Sequence, residues 1–484
     1  MATAVVAGAG VAGLAAAIAL SRLGLTVLVL DRAPAPPEGP LGEAVDRWRH
    51  RPTVPQAHHS HTLTSLGVRA LRTRAPRVLA DARAAGAPLL RLTDALPGSG
   101  ADRAPEPGDE DLVGLGCRRA TLELLLHRAV RDRPGVTVRH GTTVGALELD
   151  RRAPRVRAVV TTDGERVPAD LVLDATGRRA QARAWLDHAG VPVARDLTSP
   201  SGLAGHTRFY RLRTATRPGP LNRGNAAGDI FAHYAGVLHL GDHDTFSIAL
   251  CTLPGDRALA PLRTPAGFTA AARATPHLAP WLDDAVSTPA SPVRAITSPA
   301  NVLRGVAGPL QEPVAGLFSV GDAACVTDPL FGRGISLALE HAFRLADLIA
   351  RMPDITVGQR RAAAGLTDEL FRPWYEHAAA ADRTRIARWR AAAEDTEPPA
   401  PAPAPAPDGP PTAERIGAAA RTDPVVWRRL TRMLMSLTTP AELLGDPDFL
   451  ERVRRAPAPA APHPAGPGRA ELVRCVTAAE GAPV

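Results

Sequence analysis

Lysine is missing from this chain: all 57 basic side chains are arginine. That absence excludes Schiff-base catalysis, a Walker-type phosphate lysine and any mechanism that needs an active-site ammonium. Cysteine is nearly as scarce. Cys117, Cys251, Cys325 and Cys475 are far apart and form no C-x-x-C pair, so neither a disulfide framework nor a zinc site is indicated. No apolar run approaches the roughly 20 residues that span a bilayer, so no membrane span is expected. Aromatic side chains make up only 4% of the chain. The net charge of +8 comes from arginines scattered among acids, with no aromatic-interleaved stripe, so it does not point to a nucleic-acid partner. With 48 prolines and long Ala/Arg/Pro runs, it points instead to a GC-rich, bacterial-looking coding sequence.

What is present is a globular composition, 45% apolar and 22% charged, in 484 residues, enough for one large or two to three ordinary domains. The chain is organised around residues 4–32. An apolar strand runs into Gly8-Ala9-Gly10-Val11-Ala12-Gly13, an Ala/Leu-rich helix follows, and a second apolar strand ends in Asp31-Arg32. Gly8 suits the tight turn, Gly10 lets backbone approach a pyrophosphate, and Gly13 lets the helix pack on the strand. The helix N-terminus offers free N–H groups and a positive dipole end to phosphates. Asp31 stands where a carboxylate accepts the ribose hydroxyls of an adenosine. The segment therefore reads as a dinucleotide site. Residues 4–30 are structural core rather than a signal peptide, and a cytoplasmic location is expected.

Further on, VPQAHHSH (residues 54–61) carries histidines 58, 59 and 61 without an acidic or cysteine partner at ligand spacing, so it reads as a pocket-lining loop and no metal is expected. An amphipathic helix opens at Arg118-Arg119. Short strands follow at 136–139, 144–149, 156–162 and 171–173, the last running into Asp174-Ala-Thr-Gly-Arg178. Between about 200 and 300 the texture becomes that of an antiparallel sheet, with strands at 206–212, 230–238 and 245–252. The chain then returns to its first pattern: strand 316–320, then GDAACVTDPLFGRGI (321–335), then a helix to about Arg351. The domain reading is 1–195 and 301–355 for the nucleotide domain and 196–300 for the inserted substrate sheet. A helical extension covers 356–397, an Ala/Pro linker 398–411, C-terminal helices 412–455 and a mostly flexible tail 456–484 with room for one last helix.

Together these motifs resemble the FAD-dependent monooxygenases of the aromatic-hydroxylase and epoxidase superfamily. The pieces that carry the likeness are GAGVAG with Asp31-Arg32, the RRATLE helix start, DATGR and GDAACVTDPLFGRGIS. VPQAHHSH looks like the VPQ-x-x-H-x-H segment of a bacterial subgroup that includes polyether epoxidases. The resemblance implies an α/β fold: a Rossmann-like FAD domain with an inserted, mostly antiparallel substrate sheet and a helical C-terminal region. It implies that Gly8, Gly10, Val11, Ala12 and Gly13 hold the pyrophosphate, that Asp31 and Arg32 flank the adenosine ribose, and that Val144 meets the adenine edge through its backbone. Arg119, with Arg118 as the fallback, would contact the FAD phosphate or ribityl region, and Asp322 the ribityl chain. Pro329 and residues Gly332, Arg333, Gly334 and Ile335 would sit at the isoalloxazine pyrimidine ring. His59, His61, Tyr210, Phe231 and Tyr234 are candidates for lining the substrate pocket, and no general base is assigned.

The activity implied is hydroxylation or epoxidation of an apolar or aromatic small molecule by O₂ through a flavin C4a-hydroperoxide, in a secondary-metabolic setting. NAD(P)H would visit transiently, or a partner flavin reductase would supply electrons. The chain departs from many relatives in having Cys325 after GDAA, where they have His. A flavin-dependent halogenase is disfavoured because its lysine and its WxWxIP segment are both missing. A flavin-dependent reductase of isoprenoid double bonds, and a flavin-bearing redox protein without turnover, are the alternatives.

Overall fold

The computed structural model describes residues 2–48, 54–98, 103–150, 152–396, 411–457 and 466–481. Its centre is a parallel five-stranded sheet in the order Leu317–Ser319, Leu171–Asp174, Thr3–Ala7, Thr26–Asp31, Val136–His140. The inner strands are apolar along nearly their whole length because both faces of the sheet are covered. On one face lie the helices Val11–Leu20, Ser65–Arg74, Arg119–Arg131 and Gly334–Arg351, joined in a single apolar core. The other face is closed by a three-stranded antiparallel sheet, Val144–Leu149, Val156–Thr161 and Arg166–Pro168, together with Trp185 of the helix Ala182–His188. Strands read from sequence at 144–149 and 156–162 thus form a covering layer rather than extending the parallel sheet.

The inserted domain is an antiparallel sheet of Ala227–Ile230, Ala235–Leu240, Thr245–Thr252, Ala204–Leu212 and Ser287–Pro289, with Arg294–Thr297 also paired to 204–212. Strict alternation splits its side chains between two faces. Tyr210, Phe246, Ile248 and Leu250 pack outward beneath the helices Pro265–Ala274 and Arg469–Glu480. Ala235, Ala249 and Cys251 face the nucleotide domain, where Leu330 and Trp389 meet them.

The 38-residue helix Val357–Glu394 runs behind both domains. Four further helices, Ala413–Ala420, Pro424–Leu434, Pro440–Leu444 and Pro447–Arg455, pack on Phe371 and Trp374 of that helix. The Ala/Pro linker lies outside the described residues except for Pro411. In the tail the last helix that the sequence leaves room for is present, at Arg469–Glu480. Leu472 and Val476 of the helix Arg469–Glu480 are fully buried in the core of the inserted domain, and Arg469 forms a two-pronged ion pair with Asp256 at 2.7 and 2.8 Å. No described helix is long and apolar enough to cross a membrane.

Candidate functional site

The first glycine turn is held in shape by the DATGR segment. The Gly8 backbone is left-handed, with φ +114°, and a Cβ there would come within 2.4 Å of the Ala175 carbonyl oxygen. Ala175 N–H in turn donates to the Ala7 carbonyl at 2.9 Å. Asp174 is fully buried and spends its carboxylate on this turn, accepting from Thr176 N–H (2.9 Å), Thr176 Oγ1 (2.6 Å) and Ala182 N–H (2.7 Å). At Gly13 a Cβ would lie 1.9 Å from the Gly8 carbonyl oxygen, so the helix sits directly on the turn. At Gly10, by contrast, a Cβ would meet nothing within 4 Å. Backbone N–H groups of residues 11–13, unpaired at a helix start, point into that open space.

Asp31 lies at the carboxyl edge of the sheet, where α/β proteins bind ligands. Its two oxygens accept from Ala9 N–H at 2.5 Å and Ala33 N–H at 2.6 Å, which fixes the carboxylate and leaves each oxygen a further lone pair. The turn leading into Val144 is tied to the same place, since Thr142 N–H donates to the Asp31 carbonyl at 2.9 Å and Gly141 N–H to that of Ala33 at 3.0 Å. Arg32 stands beside Arg179, whose charge, after burial, lowers its pKa.

The second glycine segment faces the first. Gly321, left-handed at φ +63°, is wedged between the two glycine helices, where its Cβ would lie 2.7 Å from Ala12 Cβ and 3.2 Å from Ala338 Cβ. Asp322 follows, half-buried, with no hydrogen bond to its side chain among the described residues. Burial raises its pKa, while the nearby Arg119, Arg178 and Arg304 act to lower it. A carboxylate placed among arginines without a bonded partner suits a polyol ligand. Gly332, with φ +65°, and Arg333 lead into the helix Gly334–Arg351, and a Cβ at Gly334 would again meet open space within 4 Å. Pro329 is exposed at the rim.

The structure distinguishes the two arginines of RRATLE. Arg118 is consumed by Asp242 of the inserted domain: Nε and Nη2 lie 3.0 and 2.7 Å from Asp242 Oδ1, and Arg118 N–H donates to Oδ2 at 2.8 Å. It staples the two domains together. Among the described residues Arg119 hydrogen-bonds through Nε alone, to Glu123 at 2.9 Å, and its charge acts on Asp322 and His61.

The histidine loop closes one side of the cleft. Arg178 of DATGR donates to Gln56 Oε1 at 3.2 Å, and Thr64 N–H donates to Ser336 Oγ at 3.1 Å, so the VPQ end of the loop is tied to DATGR and its far end to GRGIS. His61 Nδ1–H donates to the His59 carbonyl at 2.8 Å, leaving Nε2 as an acceptor. Burial, with Arg119 adding, pushes its pKa down to about 3. His59 Nδ1 pairs with Thr207 Oγ1 at 2.9 Å on the inward face of the inserted sheet, and burial lowers its pKa to about 4. Both rings are neutral near pH 7. Among the described residues no three His, Cys, Asp or Glu side chains are grouped as metal ligands.

Three of the pocket candidates belong elsewhere. Tyr210 (2% exposed) stacks on Phe246 at 5.1 Å on the outward face, and Tyr234 (1% exposed) hydrogen-bonds Thr275 at 3.1 Å in the same core. Phe231 stacks on Tyr234 at 4.8 Å. Aromatic residues were singled out as pocket walls, but the alternation that decides their side of the sheet depends on register. The inward face is built from residues too small to stand out in sequence: Gly205, Thr207, Ala235, Ala249 and Cys251, with Val237 and the loop residue Leu330.

A family model for pyridine nucleotide-disulphide oxidoreductases matches residues 117–198, and one for NAD(P)-binding Rossmann-like domains matches residues 6–37. Protein Rv3254 of Mycobacterium tuberculosis is 29% identical over 364 residues, which is 71% of this chain and 72% of that protein. Two solved structures superpose on most of the molecule. PqsL of Pseudomonas aeruginosa, described as a probable FAD-dependent monooxygenase, does so with a TM-score of 0.55 and 16% identity, over 82% of this chain and 100% of its own. OxyS anhydrotetracycline hydroxylase from Streptomyces rimosus does so with a TM-score of 0.56 and 16% identity, over 96% of this chain and 78% of its own. The chain thus carries Rossmann-type dinucleotide-binding segments of oxidoreductases and has the fold of these flavoproteins.

Proposed function

We propose that the protein is an FAD-dependent monooxygenase, a hydroxylase or epoxidase acting on an apolar or aromatic small molecule. One observation carries this reading. Two helix N-termini with glycines facing open space flank a half-buried Asp322 that has no hydrogen-bond partner among the described residues, beneath a sheet face of small apolar residues. The residues present fit FAD. Residues 10–13 would bind the pyrophosphate, Asp31 the adenosine ribose and the Val144 backbone the adenine edge. Arg119 and Asp322 would meet the ribityl and phosphate region, and the 332–335 amides the pyrimidine edge. Once bound and reduced, flavin supplies the activation of O₂ and the oxygen atom transferred to an electron-rich carbon.

The protein's share is then to orient the substrate, keep water out and stabilise charge. The inward face offers apolar contact over Val237, Ala249, Cys251 and Leu330. The His59–Thr207 pair supplies one polar point at its edge. Neutral His59 and His61 can accept or donate hydrogen bonds there without adding charge. We propose that electrons come from NAD(P)H visiting transiently or from a separate flavin reductase.

The test begins with the visible spectrum of the purified protein and of the supernatant after heat release. Bands near roughly 370 and 450 nm with released FAD are expected, followed by substrate-dependent O₂ consumption. A protein that stays colourless after FAD titration sinks the proposal. Turnover that persists without O₂ would favour the double-bond reductase instead.

A further inference from the structure

We propose that the Arg333 side chain is a fixed, buried positive charge that makes the 328–335 loop electropositive toward the flavin and favours the reduced, anionic cofactor. This goes beyond the backbone amides of the loop and rests on the FAD reading above.

Arg333 is 1% exposed, and none of its three side-chain nitrogens has a hydrogen-bond partner or solvent contact. Its guanidinium carbon lies 4.5 Å from the centre of the Phe331 ring and 4.7 Å from that of Trp374. Two aromatic rings attract a cation but satisfy none of its N–H groups. A buried arginine with no carboxylate of its own is costly, so its field is the one thing it offers in exchange. It springs from the residue between Gly332 and Gly334, whose backbone leads into the helix start facing the cleft.

The groups packed around it leave that charge uncancelled. Asp328 from the loop and Asp382 from the long helix are both buried, and both sit 2.9 Å from the same nitrogen, Nη2 of Arg385. Asn301 donates to Asp382 at 2.7 Å. Burial, with Asp382 alongside, pushes the Asp328 carboxyl well above the usual carboxylate range. Asp328 and Asp382 thus spend their oxygens on Arg385, Asn301 and the Leu330 N–H, and among the described residues neither bonds Arg333. Burial keeps Cys325 and Cys251 as thiols and lowers His377, next to Phe331, to about 4, so these neighbours are neutral near pH 7. Arg333 itself falls only to about 10 and stays charged. Among the described residues it is the cation of this cluster with no carboxylate bonded to it, in a low-dielectric site where charge acts over distance.

The experiment measures the two-electron midpoint potential of the flavin in the purified holoprotein for wild type, Arg333→Met and Arg333→Lys. Loss of the charge is expected to cut the ratio of reduced to oxidised flavin at a fixed potential at least tenfold, a shift of about 30 mV. Lysine is expected to keep it within about threefold, roughly 15 mV on the same scale. Sulfite, which forms an anionic adduct with oxidised flavin, is expected to bind the methionine variant at least tenfold more weakly. A folded, FAD-replete Arg333→Met protein with wild-type potential and sulfite affinity overturns the inference. Should that variant fail to fold, Arg333→Gln decides: it keeps polar bulk without the charge, the same fall in potential is expected, and a wild-type potential overturns the inference. A wild-type protein that takes up no FAD defeats the underlying reading, and this one with it.

Discussion

Gly10 and Gly13 are three positions apart in one turn, yet a side chain at each meets opposite surroundings. At Gly13 it would collide with the Gly8 carbonyl at 1.9 Å, whereas at Gly10 nothing lies within 4 Å. A valine at 13 must therefore push helix from strand, an overpacking that costs about 1–3 kcal/mol. A valine at 10 leaves the apoprotein intact and fills the space where phosphates approach the helix. We expect Gly13→Val to lower the melting temperature of the apoprotein. Gly10→Val should melt within about 0.5 °C of wild type, under the roughly 1 °C that about 1 kcal/mol produces in a chain of this length, while losing at least tenfold in FAD affinity. Calorimetry and FAD titration on the pair of variants separate the two roles, and equal melting temperatures with equal FAD affinities would show that neither glycine acts as assigned. Both glycines are legible from the motif alone, because the chemistry of the turn is local. Asp322 is legible for the same reason, but its arginine surroundings are not: Arg119, Arg178 and Arg304 come from three distant segments.

At the level of elements, the RRATLE helix start is where sequence reasoning stopped short. Two adjacent arginines look alike in a sequence, and only packing assigns Arg118 to Asp242 of the inserted domain and Arg119 to Glu123 of its own helix. Burial alone would raise the Asp242 pKa, but Arg118 and His243 hold it below the ordinary value. Removing the arginine leaves a carboxylate that is 0% exposed without its main counter-charge. Breaking such a buried pair costs about 3–5 kcal/mol. Arg118→Ala is therefore expected to destabilise the protein by about 3 kcal/mol in denaturant unfolding. Arg119→Ala also takes the arginine from a carboxylate that is 0% exposed, Glu123, so it should lower stability too, and what sets it apart is a loss of FAD affinity that Arg118→Ala does not show. The reverse pattern would reassign the two residues. The C-terminal helix is faint in the sequence, and its packing site is not legible there, for a different reason. Proline and alanine dominate the stretch before it, and its apolar face is just Leu472 and Val476 with Val473 beside them. So short a stripe gives little periodic signal until the sheet it covers is in view. The side on which Tyr210 and Tyr234 emerge was hidden likewise, since a strand's pattern shows that two faces exist and not which one meets the cofactor domain.

Across the whole molecule, burial has taken many histidines out of the reach of protons. His59, His206, His233, His239 and His377 are lowered to about 4, and His61 and His341 to about 3, in each case chiefly by burial. His341 shows what a neutral ring can do: Nδ1 accepts from Gly321 N–H at 3.4 Å while Nε2–H donates to Thr367 Oγ1 at 3.0 Å, so the GD turn is tied to the long helix. In the unfolded chain each of these rings titrates near 6.5. Between that value and about 4 the unfolded state binds more protons than the folded one, so stability must fall as the pH falls. The stabilisation is complete above pH 6.5 and is lost progressively as pH drops toward the folded values. Three buried carboxyls, Asp174, Asp322 and Asp328, are raised instead and pull the other way, because the folded state holds their protons more tightly. Histidines outnumber them and are spread over both domains, so the net slope should be positive. The unfolding midpoint of the apoprotein at constant ionic strength is expected to decline steadily from pH 7 to pH 4.5. A flat or rising profile over that interval would mean that these rings are protonated in the native state, and that the neutral cleft lined by His59 and His61 is wrongly assigned.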